Sequence, residues 1–500
     1  MALNIEEMAA FCKKKGFIYP SAEIYGGLAG FYDFGNLGVE LKNNIKTAFW
    51  KEFVQNREDI VGIDGSIITN PKVWQASGHI DCFTDIIMSC TKCKAKFRGD
   101  QLIEDKLKVN AEGFSKEEVN DKIKDNNITC SKCGSPLEEA KDFNLMFETN
   151  IGSVSDKKNA SYLRPETAQS IFVNFKLIAD SARMKLPFGI AQTGKAFRNE
   201  ISPRDFLFRV REFEMFEIEY YVNPEDIGKC PHISEVLELK INFLSAKDQE
   251  NNSEHSILSV KDLLKMGITE WHAYWLAQTY TFFMKYGIKP ENLRIREHLK
   301  DELAHYSKAC FDIEYNFPFG WKEIHGCAYR TDFDLKQHIN LSNKDLSYFD
   351  QASGKKVVPH VIEPSQGIER AMLAFLFEAY EYDKERGNVV LNLNPGLAPL
   401  QIGVFPLVNK LEEEARRVYA DLISHFTCQF DKSGSIGRRY ARADEISIPY
   451  CITFDFDSLK DESVTIRNRD DTKQARVNID GLKETIRKLS AKEISFEELL

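Results

Sequence analysis

Two cysteine pairs, Cys90 with Cys93 and Cys130 with Cys133, have the spacing of metal-binding knuckles, and four thiolates suit tetrahedral zinc. A closed site of this kind leaves no position for a catalytic water, so the metal would hold structure; a redox dithiol pair and unliganded thiols are the alternatives. A second constellation is basic. Between residues 183 and 211 seven Lys or Arg stand against two acids, whereas residues 212–219 carry four glutamates and no base. With a period of two, Arg209, Arg211, Phe213, Met215, Glu217 and Glu219 share one face of a strand, and Arg198 and Glu200 share a face of the strand before it. Such a surface can hold polyphosphate at its arginine end, stack a flat ring on Phe213 and receive an ammonium group at its glutamate end. The alternative is a solvated hairpin with cross-strand ion pairs.

Two shorter segments add to this chemistry. In VIEPSQGIER, residues 361–370, Glu363 and Ser365 share strand parity, Gly367 lets a ligand approach the backbone at a helix N-terminus, and Arg370 falls in that helix's first turn. In LRPETAQ, Glu166 precedes a helix, where it serves either a ligand or the helix dipole.

These side chains need a scaffold. Residues 190–222 read as two strands joined by the loop SPRDFL, and residues 357–380 as a strand running into a helix near Gly367. Helical periodicity at 5–15 and 38–54 flanks the glycine- and aromatic-rich loop YGGLAGFYDFGNLG. The charged stretch 94–129, with the capping box SKEE at Ser115 to Glu118, reads as a peripheral insertion. The Pro/Gly cluster NLNPGLAPL at 392–400 marks a boundary, beyond which strands and helices alternate as a separate α/β domain.

A chain of 500 residues that is 43% apolar and 12% aromatic has material for more than one packed core. With 76 acids against 66 bases and a formal charge of -10, it is not a protein that coats nucleic acid by overall charge, although local basic surfaces remain possible. Its longest apolar run, AMLAFLF, is far short of the roughly 20 residues a membrane-crossing helix needs. The N-terminus lacks a signal-peptide pattern, and 11 unevenly spaced cysteines suit a reducing compartment, so the expected location is cytoplasmic with no membrane partner.

Taken together, YGGLAGFYDFGNLG, TNPKVWQASGHID, LRPETAQ, FRNEISPR with RVREFEMFEIE, WKEIHGCAYR and VIEPSQGIER resemble the class II aminoacyl-tRNA synthetases over nearly the whole chain. Within them, FRNEISPR and VIEPS-x-G resemble the glycyl branch of homodimeric type. SIGRRYARADEISIPY and SVTIRNRDDTKQ look like the anticodon-binding domain shared by glycyl, histidyl, prolyl and threonyl enzymes. The resemblance implies an α/β (α+β) fold. Its catalytic domain at 1–394 would be an antiparallel sheet flanked by helices, with a zinc-knuckle insertion at 88–140 and a helical insertion at 223–310. A mixed-sheet α/β anticodon-binding domain would follow at 395–500.

The same resemblance implies ATP-dependent attachment of glycine to the 3' end of tRNA(Gly) through a glycyl adenylate, in a homodimer, with Mg2+ accompanying ATP. Arg198 would hold the α-phosphate, Glu200 the adenine amino group and Arg209 the γ-phosphate, while Phe213 and Arg370 would enclose the adenine. Asn199, Phe208, Glu323, Ile324 and Gly367 would complete the ATP site, with Glu323 and Ile324 nearest the magnesium. Glu166, Glu217 and Glu363 would surround the glycine ammonium with Ser365 beside the α-carbon, and Arg98, Phe213, Arg330 and Gly367 match other glycine-contacting positions. For tRNA, the C-terminal domain offers Arg438, Arg439, Arg442, Arg467, Arg469 and Arg476, which otherwise form a solvated basic face. The competing expectation is a catalytically inactive, nucleic-acid-binding accessory protein. Such a relative would be expected to lose Arg198, Glu200, Arg209 or Arg370, and all four are present.

Overall fold

Alternation along one strand organises the larger part of the molecule. In the computed structural model, which describes residues 3–109, 111, 113–152, 160–351 and 353–500, the strand Glu212–Val222 turns Phe216, Ile218 and Tyr220 to one side and Phe213, Met215, Glu217, Glu219 and Tyr221 to the other. It lies inside a nine-stranded sheet. From one edge the order is Ser256–Ser259, Lys240–Leu244, Leu293–Glu297, Ala309–Phe317, Gly320–Thr331, His360–Gly367, Glu212–Val222, Phe188–Phe197 and Ile60–Gly62. Pairing through the middle is antiparallel; the parallel pairs are Lys240–Leu244 with Leu293–Glu297 and Ile60–Gly62 with Phe188–Phe197.

Helices Asn36–Trp50, Glu270–Lys285 and Ile368–Ala379 cover the apolar face. Phe49 stacks on Phe216 at 5.5 Å, and Tyr220 meets Trp271 and Trp275 at 4.9 and 5.1 Å. On the opposite face, helix Ala168–Ser181 covers only the far end, where Phe175 lies 4.4 Å from Tyr221. The near end, with Phe213 and Met215, stays open as a cleft.

Residues 223–310 correct the expected helical insertion. They contribute three strands to one edge of the main sheet, and Glu270–Lys285 buries all five residues of WHAYW beneath it. A helix that is apolar around most of its circumference belongs in a core, and this one supplies the floor of the main sheet.

A small sheet and two helices occupy residues 84–144, a span wider than the expected 88–140. Strands Lys96–Arg98, Thr84–Ser89 and Lys141–Asn144 make a three-stranded sheet, and helices Gly99–Leu107 and Lys116–Asp125 pack Ile103, Val119 and Ile123 against it. The Ser115 to Glu118 capping box is formed.

Near the C-terminus a five-stranded mixed sheet runs Cys428–Phe430, Ile402–Pro406, Tyr450–Phe454, Ser463–Asn468 and Gln474–Asn478, the first three parallel and the last two antiparallel to their neighbours. It has a separate core, whereas Leu391, Leu393 and Leu397 pack into the main one.

Candidate active site

The cleft is a cavity of about 150 Å³ lined by Arg198, Glu200, Phe208, Arg209, Phe213, Met215, Glu323, Ser365, Gly367 and Arg370. Strand register assembles it. Glu217 lies opposite Ser365, Met215 opposite Gly367, and Ser365 opposite Gly326, and directly opposed residues of antiparallel strands project from the same face.

One end is basic. Arg198 follows the end of strand Phe188–Phe197; its Nε donates to the Pro165 carbonyl at 3.2 Å and its guanidinium lies 5.4 Å from the Phe213 ring and 5.5 Å from Phe83. Arg209 Nε faces Glu200 Oε2 at 3.2 Å. Arg370, in the first turn of Ile368–Ala379, lies 4.5 Å over Phe208, donates from Nε to the Phe208 carbonyl at 3.2 Å and holds Glu323 at 2.6 Å. Burial opposes the charge on Glu323, but Arg370 more than offsets it and the carboxyl stays below its ordinary value. A Cβ at Gly367 would have Arg370 carbons as its nearest neighbours, at 3.7 and 3.8 Å, an ordinary contact distance.

Arg211 corrects the sequence reading, which put it on the ligand face. The strand begins at Glu212, and Arg211 instead donates to the carbonyls of Glu200 and Ala29, while its own N–H reaches the Gly30 carbonyl at 2.8 Å. Gly30 is at φ 77°, and a Cβ there would stand 2.7 Å from Pro203. The glycine-rich loop thus braces the loop that carries Arg209.

The other end is acidic and buried. Glu217 accepts hydrogen bonds from the Thr167 N–H at 2.7 Å, the Thr167 hydroxyl and the Ser365 hydroxyl at 3.0 Å. Glu166 accepts from Gln169 at 3.0 Å and faces His79 Nε2 at 3.3 Å. Glu363 accepts from Arg330 Nη1 at 2.8 Å; Arg330 also grips Asp334 and stacks 3.8 Å from Tyr306. Burial raises the carboxyls of Glu217 and Glu363, and repulsion between the acids adds to it. For Glu166 burial is outweighed by His79, Arg330 and Gln169, which hold it ionised and below the usual range. The cluster therefore favours the charge on Glu166 and resists it on Glu217 and Glu363, and an incoming cation would work against that resistance.

Sequence reasoning missed His79, Thr167, Gln169, Tyr306 and Asp334. Thr167 adjoins Glu166, and Arg330 with Asp334 has the i,i+4 spacing of a helical ion pair, but no local pattern marks His79 or Tyr306 as neighbours of this cluster. Three further expected site residues have protein partners of their own. Arg98 is held by Asp85 at 2.9 Å and by Asp100, beside Arg209 rather than among the carboxylates. Ile324 points into the core, and its carbonyl accepts from Gln366 at 2.6 Å. Asn199 uses its N–H to reach the Leu145 carbonyl and does not line the cavity.

The sulfurs of Cys90, Cys93, Cys130 and Cys133 lie within 4.8 Å of one another, and the N–H groups of Lys92 and Cys93 point at Cys90 Sγ, both at 3.4 Å. Four converging sulfurs with N–H support fit a zinc ion.

Most of the C-terminal arginines expected to meet tRNA are absorbed by the fold. Arg439, Arg467 and Arg469 are 2%, 5% and 2% exposed. Arg439 donates to the carbonyls of Pro406, Leu407 and Gly434, Arg467 makes two bonds to Asp444 at 2.8 and 2.9 Å, and Arg469 reaches Ser447 and the Leu393 carbonyl. Arg442 pairs with Asp431, and Arg476 with Asp455 and Asp461. Arg438 is exposed and has no side-chain hydrogen bond or ion pair among the described residues.

Residues 145–379 match the tRNA synthetase class II core domain (G, H, P, S and T), and residues 401–489 match an anticodon binding domain. The chain is 46% identical to a glycine–tRNA ligase of Caldanaerobacter subterraneus subsp. tengcongensis, over 96% of each chain. It is 47% identical to one of Clostridium beijerinckii, over 95% of this chain and 96% of the relative. Among solved structures, a prolyl-tRNA synthetase from Cryptosporidium parvum complexed with L-proline and AMP superposes with a TM-score of 0.56 at 12% identity, covering 98% of this chain and 78% of the other, a likeness of fold alone.

Proposed function

The chain belongs to the glycine–tRNA ligase family, and on that premise we propose how its cleft makes and uses a glycyl adenylate. It is a class II aminoacyl-tRNA synthetase that joins glycine to tRNA at the expense of ATP. The observation that carries the site assignment is the open cavity over one sheet face, bordered by Arg198, Arg209 and Arg370, whose wall continues through Ser365 to buried Glu217.

ATP lies bent in the cavity with its adenine between Phe213 and Arg370 and its amino group at Glu200. The glycine carboxylate attacks the α-phosphorus as pyrophosphate leaves. Negative charge grows on the phosphorus oxygens, where Arg198 meets it, while Arg209 holds the departing end. No nucleophilic side chain is required, because positioning and cationic stabilisation carry the rate. The glycine ammonium points to Glu217, Glu166 and Glu363. Ser365 and Glu217 fill the room a side chain would take, and a methyl group there would also strand buried polar atoms. In the second step the terminal 3'-hydroxyl of tRNA(Gly) attacks the adenylate carbonyl and AMP leaves.

Magnesium entering with ATP supplies charge to the phosphates, and the Glu323 carboxylate on the cavity wall is the oxygen donor that would hold it. Zinc at the four cysteines would fix the 88–140 body. The proposed assembly is a homodimer through the segment around Pro71, where Ile67 and Ile68 remain 37% and 41% exposed. The proposed location is the cytoplasm, consistent with cysteines that are all unpaired. No helix among the described residues is long and apolar enough to cross a membrane.

Amino-acid-dependent exchange of labelled pyrophosphate into ATP, without tRNA, tests the reading. Exchange with glycine and not with alanine, serine or proline is expected. Exchange with another amino acid would overturn the pocket assignment, and its absence in folded protein would favour the accessory-protein reading.

A further inference from the structure

The register that builds the cleft continues past it. Ser365 lies opposite Gly326 and Gly326 opposite Asp312; in the next row Glu363 lies opposite Ala328 and Ala328 opposite Cys310. Opposed residues share a face, so Cys310 and Asp312 project from the same side as the substrate residues. The neighbouring strand Leu293–Glu297 ends beside them, and the His298 N–H donates to the Cys310 carbonyl at 3.0 Å. Its ring Nε2 then meets Asp312 Oδ2 at 2.8 Å. One donor atom from each of His298, Cys310 and Asp312 falls within 4.8 Å of the others.

His298 and Asp312 line a second cavity, of about 350 Å³, that shares Phe208, Arg209, Glu323 and Arg370 with the first. Among the other charges there, Arg296 pairs with Glu302 and Glu314, Arg98 with Asp100 and Arg370 with Glu323, and Lys322 also lines the cavity. Asp312 is buried, and His298 is its hydrogen-bond partner.

We propose that His298, Cys310 and Asp312 form a site for a zinc-class divalent cation, separate from the four-cysteine cluster, with its remaining coordination position turned to the second cavity, which adjoins the one that receives the nucleotide and shares Arg209, Glu323 and Arg370 with it. An imidazole, a thiolate and a carboxylate are a set that a borderline-soft ion takes together and that magnesium, which prefers oxygen, does not. Three protein ligands leave a fourth position for water or a phosphate oxygen. The orientation towards phosphate rests on the nucleotide reading above; the metal site itself does not.

Cobalt titration of the full-length protein reads the two sites apart, because sulfur-to-cobalt charge-transfer intensity grows with the number of thiolates bound. The wild type should show an intense four-thiolate component and a weaker one-thiolate component. Cys310→Ser and His298→Ala should each lose the second and keep the first, with circular dichroism confirming that they are folded. A wild-type titration with a single component overturns the site even if the variants fail to fold, and so does a second component that survives both substitutions. ATP added without magnesium should perturb the second component alone. Indifference to ATP in a protein that still exchanges pyrophosphate with glycine overturns the orientation, whereas loss of that exchange locates the error in the nucleotide reading.

Discussion

The cleft and the C-terminal domain are both rich in arginine, and they use it in opposite ways. In the cleft, Arg198 and Arg370 each donate one N–H to a main-chain carbonyl and, like Arg209, leave the rest of the guanidinium against an aromatic ring or a single carboxylate on the wall of a cavity. In the C-terminal domain, Arg439 and Arg469 reach main-chain carbonyls, and Arg467 lies flat against Asp444. A guanidinium has five donors in a fixed fork, so one residue type can either cross-link a fold or wait for phosphate. The surroundings decide which, and the number of arginines does not.

Substitution should separate the two uses. Arg198→Ala or Arg209→Ala should lower glycine-dependent pyrophosphate exchange by about 10²–10³-fold while the melting temperature stays close to wild type. A fall in melting temperature with little kinetic effect would place these arginines with the structural group. Arg467→Ala should do the reverse: it leaves buried Asp444 with Arg386 alone, at 3.2 Å, and should lower C-terminal domain stability by up to about 3 kcal/mol, read by denaturant unfolding, with exchange retained.

The acidic end extends the comparison to pH. Burial pushes Glu363 up to about 8, so between the ordinary carboxylate range and that value the folded protein holds a proton that the unfolded chain has released. This contribution to stability is complete at acid pH and is lost as pH rises through about 8. Glycine binding should run the other way, since its ammonium needs the ionised form. The KM for glycine should fall by up to about tenfold per pH unit as pH approaches that value, and Glu363→Gln should flatten the profile. A glycine KM independent of pH in the wild type would remove Glu363 from the ammonium site. The smallest expected effect is at Arg438: Arg438→Ala should raise the KM for tRNA by about tenfold or less, through loss of one exposed cationic contact, and leave exchange untouched.

Much of the cleft was legible because its residues obey the strand period. Phe213, Met215 and Glu217 fall on one face as two-residue alternation requires, and the helix after Gly367 begins where expected. Arg211 was misread because alternation was extended one residue beyond the strand, into a loop braced by Gly30. The role of 223–310 was hidden because its three strands are short and its buried helix carries no chemical motif. The fates of Arg439, Arg467 and Arg469 were invisible in composition, since only the folded chain shows which carbonyls lack a donor and that Asp444 is buried beside Arg467.

Lys42 has a consequence for the order in which the chain is made. Its buried ammonium lies between Glu369 at 2.7 Å and Glu214 at 3.2 Å, and the bond to Glu369 spans 327 positions of sequence. A nascent chain emerging from the ribosome holds helix Asn36–Trp50 long before either acid exists. Its apolar face, ending in Phe49, has no sheet to cover until strand Glu212–Val222 arrives, and its charge has no complete cage until helix Ile368–Ala379 follows. Contacts of such sequence separation make folding slow and leave hydrophobic surface waiting, so chaperone dependence during synthesis should concentrate on the first three-quarters of translation, while the C-terminal domain, with its own core, can fold promptly once it is released.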